Sequence, residues 1–292
     1  MSLKSLGCAA LLIALAGCGS SASTKPNASK GISVVTTFST LNSFAQGVGG
    51  SHVHVTNLVP VGVSPEDYQP TPQDIALLSD AQVLIENGAG IEAWLQHTIE
   101  NVKNPHLQIV VMTDGLPIKG KNPHLWMDPV LAKQYVAKVR QALSAVDPAH
   151  RADYARNAAA YDRKLDVLRV TIAKQIATIP KDHRTMIVFH NAWQYYNDRF
   201  GIRTVGVIEL SPGQDPNPQY LGRLIDLAKS NHVRAVFAEP EYSPKLVNAL
   251  AASAHIKTQE NLYDDSIGQN PQVHDYISML TYDTGVIVKA LR

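Results

Sequence analysis

The stretch from Asp147 to Pro180 constrains the fold most, because it predicts one long amphipathic helix in the middle of the chain. Asp147-Pro148 is typical of a helix start, in which a carboxylate accepts free backbone N–H groups, and Pro180 ends the pattern. Between them, apolar side chains recur every three or four residues along one face. These are Tyr154, Ala158, Tyr161, Leu165, Leu168, Ile172 and Ile176.

A helix of roughly 30 residues is about 45 Å long, which is more than one small domain requires from a single helix. A coiled-coil segment is one interpretation. However, no neighbouring heptads continue the apolar stripe, so a connecting helix between two lobes explains the pattern better. We therefore predict a connecting helix over 147–180.

Short β-branched runs alternate with amphipathic segments on both sides of this helix. Strands are predicted at 32–37, 52–59, 83–85, 109–111, 186–189, 204–207 and 235–238. Helices are predicted from 71, 91, 128, 191, 217, 243 and 276. This alternation favours an α/β fold with two lobes, at 31–146 and 181–292, each built on a mostly parallel sheet. The carboxyl ends of the two sheets would then face one cleft.

The first 30 residues indicate export from the cytoplasm. Lys4 precedes the apolar run 6–16, and Leu15-Ala16-Gly17-Cys18 resembles a bacterial lipobox. We predict a signal peptide over 1–17, lipidation at Cys18 and a flexible tether over 18–30. A plain secretion signal with an incidental cysteine is the alternative. The mature protein is thus expected outside the cytoplasm, lipid-anchored to a bacterial membrane at the cell surface or in the periplasm.

Composition and motifs exclude several function classes. A formal net charge of +1 without a basic block gives no reason to expect nucleic acid as a partner. No hydrolase, nucleotide-binding or dinucleotide-binding signature occurs, so no catalytic residue is predicted. Instead, four ionisable residues follow predicted strands or lie in the connecting loops. They are Glu66, His124, His190 and Asp265.

Five segments around these residues carry a family resemblance, namely 64–71, 122–129, 189–193, Glu239-Pro240 and Asp265-Ser266. Together with the lipobox and the long central helix, they resemble the cluster A-I metal-binding lipoproteins. These serve bacterial zinc and manganese ABC importers and were once described as adhesins. The resemblance covers nearly the whole mature chain. It implies two α/β lobes on a rigid helix, one metal ion between them, and a membrane permease as partner.

By position, the resemblance implies that Glu66 and His124 bind the metal from the first lobe and His190 and Asp265 from the second. Glu66 departs from the family, which usually has histidine there, so Asp67 or water is an alternative ligand. Asp264 is likewise an alternative to its neighbour Asp265.

Trp126 and Asp128 are expected to support the ligands without binding the metal. Asp128 would do so while capping the helix that begins at Pro129.

Two neutral imidazoles and two carboxylates supply two negative charges, which match one buried divalent cation. Nitrogen and hard oxygen without sulfur suit manganese, iron(II) or zinc more than copper(I), and the set leaves these three open. Four protein ligands leave no open position for a substrate, so the site would hold an ion rather than activate water.

The sequence thus predicts a monomeric solute-binding lipoprotein that delivers manganese, iron or zinc to an ABC importer. A secreted metal-dependent hydrolase using Glu66 as general base, and a purely adhesive lipoprotein, are the alternatives.

Overall fold

The computed structural model describes residues 31–211, 213–259 and 262–292. The predicted signal peptide, Cys18 and the tether lie outside the described residues. No helix in these described ranges combines the length and apolar composition that crossing a bilayer requires.

The first half of the described chain forms one parallel four-stranded sheet with strand order β2-β1-β3-β4. Its elements are β1 (Ile32–Thr36), α1 (Ser39–Gly49), β2 (Val53–Asn57), α2 (Pro72–Asp80), β3 (Val83–Glu86), α3 (Leu95–Glu100), β4 (Gln108–Val111) and α4 (Pro129–Val146). Side chains of β3 are almost fully buried, as expected for a central strand covered on both faces.

The second half repeats this arrangement in a second parallel sheet with strand order β6-β5-β7-β8. Its elements are α5 (Arg151–Ile176), β5 (Thr185–Val188), α6 (Gln194–Phe200), β6 (Arg203–Val207), α7 (Pro218–Ser230), β7 (Ala235–Phe237), α8 (Lys245–Ala254), β8 (Lys257–Gln259) and α9 (Tyr276–Leu291). Two parallel sheets covered by helices and one long helix confirm the predicted fold class.

The long helix α5 buries its predicted stripe, since all seven stripe residues are inaccessible to solvent. Its start differs from the prediction. A 3₁₀ turn over Pro148–His150 precedes α5, and the carboxylate of Asp147 makes no side-chain cap. That carboxylate instead accepts hydrogen bonds from the Tyr154 hydroxyl and the His150 ring, because the intervening turn directs it toward those side chains.

One hydrophobic core runs from the first sheet across α5 to the second sheet. It joins Val34 of β1, Leu165 of α5 and Val188 of β5 without a break. A continuous core resists relative movement of the two sheets, because opening it would expose packed apolar surface. The predicted lobe boundaries at 146 and 181 remain a prediction.

Local helix-start signals were reliable at two other helices. Asp128 accepts the Val130 N–H as the cap of α4, and Asn217 caps α7 in the same way. The helix predicted over 91–101 is shorter, because irregular turns precede Leu95. Helix α1 and strand β8 were not predicted.

Candidate metal centre

The four predicted ligands lie in loops that follow strands of both sheets. Glu66 lies between β2 and α2, and His124 precedes the 3₁₀ turn Leu125–Met127 that leads into α4. His190 lies two residues beyond β5, and Asp265 lies in the loop between β8 and α9. Parallel strands direct these loops to the same end of each sheet, which is where α/β proteins bind ligands.

The structure brings these four side chains together. The Nε2 atoms of His124 and His190 are 3.2 Å apart. In the carboxylate of Asp265, Oδ1 lies 3.7 Å from Nε2 of His124 and Oδ2 lies 4.0 Å from Nε2 of His190. Oε1 of Glu66 is 3.9 Å from Nε2 of His124. His124, His190 and Asp265 therefore converge, and Glu66 lies beside His124.

These separations suit one ion. Two nitrogens bound to a tetrahedral zinc ion at its usual bond length lie about 3.4 Å apart. The donor atoms of His124, His190 and Asp265 lie within 4.8 Å of one another, and all three residues are buried. Glu66 is the outermost member, and 13 % of its side chain is exposed.

The two imidazole rings are held by their other nitrogens. Nδ1 of His124 lies 3.0 Å from Oδ1 of Asn122, and Nδ1 of His190 pairs with the carboxylate of Glu239. Both partners are acceptors, so each Nδ1 carries the proton. Nε2 is therefore the nitrogen of each ring that faces the centre.

The neighbouring acids face other groups. Asp264 lies on the Nδ1 side of His190, where its Oδ2 is 3.9 Å from that nitrogen. Its Oδ1 accepts the N–H of Asp265. Asp67 is exposed and lies against Gly213. Of Asp264 and Asp265, it is Asp265 that faces Nε2 of both imidazoles. Of Glu66 and Asp67, it is Glu66 that lies near His124.

Burial and mutual charge shift the protonation of the site. Burial, together with the nearby His190, lowers the pKa of His124 well below its usual value. Burial also lowers the pKa of His190, but the charges of Glu239, Asp264 and Asp265 outweigh this effect and raise it well above normal. Burial and the charge of Asp264 raise the pKa of Asp265.

More acids lie behind this shell. Burial, together with the charge of Glu239, raises the pKa of Asp264 to about 8. Burial and the charge of Asp264 raise the pKa of Glu241, and burial raises that of Asp283. Such a concentration of buried acid is costly for an empty site and favourable for one that holds a cation.

Hydrogen bonds fix the Asp265 loop against the first half of the chain. The Thr40 hydroxyl donates to the carbonyl oxygens of Asp264 and Asp265 at 2.9 Å. Nε1 of Trp126 donates to the carbonyl of Asp264 at 3.0 Å, and the Trp126 ring packs 4.9 Å from the His124 ring. Trp126 thus contacts His124 and the Asp265 loop, and its supporting role stays a prediction.

Asp128 accepts hydrogen bonds from α4 and α6. Its carboxylate caps α4 and forms a bidentate pair with Arg199 of α6. It therefore joins α4 to α6 behind the site. The group that holds His124 is Asn122, whose Nδ2 also donates to the carbonyl of Asn191 at 2.6 Å.

A cavity of about 220 Å³ opens from the centre to solvent. Glu66, His124 and His190 line its inner part, together with Glu209. Asp265 does not line it. Glu209 was not predicted as a site residue, although it lies two residues beyond β6 just as His190 lies two residues beyond β5. Glu239 belongs to the resemblance, but no role was predicted for it.

Comparisons with known proteins identify the family of the chain. Residues 34–290 match the family model for the periplasmic component A of the zinc-uptake complex, ZnuA. The manganese-binding lipoprotein MntA of Halalkalibacterium halodurans is 32 % identical over 96 % of both chains. The iron-binding protein YfeA of Yersinia pestis is 31 % identical over 89 % of this chain and 86 % of its own.

Solved structures share the fold. A manganese-bound periplasmic metal-binding protein of Candidatus Liberibacter asiaticus superposes with a TM-score of 0.81 at 24 % identity, covering 89 % of this chain and all of its own. A crystal structure of ZnuA gives a TM-score of 0.81 at 28 % identity, covering 90 % of this chain and all of its own. The family resemblance inferred from the motifs is thereby confirmed, and the chain belongs to the ZnuA family of periplasmic zinc-uptake components.

Proposed function

We propose that this protein is an extracytoplasmic solute-binding lipoprotein that captures one divalent metal ion and delivers it to the membrane permease of an ABC importer. The convergence of His124, His190 and Asp265, with Glu66 at 3.9 Å from His124, is the observation that carries the proposal. Two relatives named as manganese-binding and iron-binding support it. So does the family, whose description is a zinc-uptake component. The names of the relatives given above lend no support to the hydrolase alternative.

The four side chains would form the complete shell. Two neutral imidazole nitrogens and two carboxylates offset both charges of the ion. Because all four ligands come from the protein, no position is left to activate a water molecule, and the protein binds without catalysis. The ion is the transported substrate. Nitrogen and oxygen donors accept manganese, iron(II) and zinc, so availability and geometry select among them.

Protons would leave as the ion enters. His190 holds a proton readily in the presence of its three acidic neighbours. An ion at Nε2 would take the place of that proton, while Nδ1 keeps its bond to Glu239. Capture would therefore weaken as the pH falls.

The lobe boundaries and the anchor complete the proposal. Residues 31–146 and 181–292 would form two lobes on the connecting helix at 147–180, acting as a monomer held to the membrane through Cys18. Since the core is continuous across α5, wide hinge opening is unfavourable. Release would instead require the permease to displace loops such as those carrying Glu66 and His190.

Metal content after replacement of single ligands tests the proposal. We expect His124→Ala and His190→Ala to lose retained metal after dialysis while keeping the apo-protein circular dichroism spectrum. Replacement of the exposed His106 by alanine serves as the matched control. Unchanged metal content in both site variants would contradict the proposed ligands.

A further inference from the structure

Glu209 is a buried carboxylate beside the proposed site that the four-ligand shell does not use. Its N–H donates to the carbonyl of Phe189 at 2.8 Å, and the N–H of Ile208 donates to Val188 at 3.0 Å. The parallel pairing of β5 and β6 therefore continues beyond both strands. It holds Glu209 beside the residue that directly precedes His190.

The side chain of Glu209 lacks a partner for one of its oxygens. The residue is only 8 % exposed, and its Oε2 has no hydrogen-bond partner among the residues of the described ranges. An unpaired buried carboxylate is unfavourable unless a cation meets it at some stage. This oxygen therefore points to a cationic ligand rather than to a structural role.

Glu209 lines the same cavity of about 220 Å³ as three of the proposed ligands. The chain continues from Glu209 to Leu210 and Ser211, which are exposed and also line the cavity. Asp265, at the inner end, does not. Glu209 therefore lies on the wall of the cavity through which a cation from solvent would reach the buried ligands.

Charge at the opening favours a cation. Burial raises the pKa of Glu209, the nearby His190 lowers it, and the charges of Asp67 and Glu66 raise it, so these three residues are its charged neighbours. Lys121, which is exposed, and His190 are basic groups on the cavity wall that oppose these acids. Acidic walls in a low-dielectric cleft concentrate cations and increase their association rate.

We propose that Glu209 is a capture residue, which binds the incoming hydrated divalent cation and speeds its transfer to Glu66, His124 and His190 without joining the final shell. Oxygen donors bind hydrated divalent ions and exchange them readily, which suits a transient contact. The inference rests on the proposed function and adds an entry route to it.

Rapid mixing of the mature protein with zinc ions tests this role, with a fluorescent zinc indicator as competitor. We expect Glu209→Gln to lower the association rate constant about ten-fold at low ionic strength, and less at high salt. The dissociation rate into excess chelator should stay within about two-fold of the parent protein, since the final shell is intact. Glu209→Asp keeps the charge and should largely restore association.

Asp215→Asn is the matched control, because Asp215 is an exposed acid six residues further along the same connection to α7. It should leave both rates unchanged. Association by Glu209→Gln at the parent rate, or equal slowing by Asp215→Asn, would overturn the capture role. Dissociation as fast as that of His190→Ala would also overturn it, because Glu209 would then be a ligand.

The two proposals fail in different ways. Impaired binding by His190→Ala together with normal association by Glu209→Gln would overturn the capture role alone. Equal zinc binding by the parent protein and His190→Ala would overturn the proposed site, and the capture role with it.

Discussion

The pairing of Glu239 with His190 allows a sharp prediction about metal affinity. Glu239 is 3 % exposed and accepts the Nδ1 proton of His190, so it fixes the ring with Nε2 toward the proposed centre. Glu239→Gln keeps the shape but removes the charge, and Glu239→Ala removes the acceptor as well. Both changes leave all four proposed ligands in place.

The expected loss of metal affinity follows from the hydrogen bond that Glu239 makes with His190. A hydrogen bond to a charged group contributes about 1.5–3 kcal/mol. Loss of a partner that orients a metal-binding histidine costs about 10–100-fold in affinity. We expect about ten-fold weaker binding for Glu239→Gln and about one hundred-fold for Glu239→Ala, near the two ends of that range.

Chelator competition with zinc and with manganese would measure this effect. Glu100→Gln is the control, because Glu100 pairs with His97 on the surface, where both side chains are largely exposed. The stability of the apo protein separates orientation from folding. The apo protein should stay folded and lose at most about 3 kcal/mol of unfolding free energy, which is the contribution of that one hydrogen bond, whereas a larger loss would indicate a structural role. Affinities of both Glu239 variants within two-fold of the parent would refute this reasoning.

Two further predictions concern stability. Burial raises the pKa of Glu92 to about 7, so the folded protein keeps a proton that the unfolded chain loses near 4.5. Stability should therefore fall as the pH rises from about 4.5 to 7, by at most about 3 kcal/mol from this group. Urea denaturation over this range should show a smaller fall for Glu92→Gln, and an identical pH profile would contradict the assignment. Leu165→Ala should destabilise the protein by about 2–5 kcal/mol, because Leu165 is buried in the core along α5. Val167→Ala, at a position that is 66 % exposed, should change the unfolding free energy by less than about 0.5 kcal/mol, and equal effects of the two changes would contradict the packing of α5.

Local signals explain which elements could be predicted. Asp128 before α4 and Asn217 before α7 each cap a helix whose next residue is proline, and both starts are where the sequence indicates. Asp147 shows the limit of such signals, since the same residue pair is followed by a 3₁₀ turn. Whether a carboxylate bonds to the backbone or to a nearby side chain depends on packing that the pattern does not encode.

The elements that were missed depend on distant contacts. Helix α1 begins after Phe38 without a side-chain cap, and it buries polar residues. Ser39 accepts the N–H of Ile267, and Thr40 donates to the Asp265 loop, more than 220 residues away in the chain. Strand β8 is short, polar and half-exposed, so it has no apolar signal and is defined by its pairing with β7.

The candidate ligands were identified from sequence motifs, whereas the residues that orient the two histidine rings were not. His124 and His190 lie in recognisable segments, but the orientation of their rings by Asn122 and Glu239 appears only in three dimensions. For His190 the partner is 49 residues away. The sequence could not decide which of the adjacent Asp264 and Asp265 faces the proposed centre. In the structure they face opposite nitrogens of His190.

Anomalous diffraction at the absorption edge of the bound metal tests the central claim most directly, in crystals of the mature protein grown with manganese or zinc. The account predicts one ion about 2.0–2.2 Å from Nε2 of His124, Nε2 of His190 and carboxylate oxygens of Glu66 and Asp265. An ion bound elsewhere, or at this point without both histidines, would contradict it.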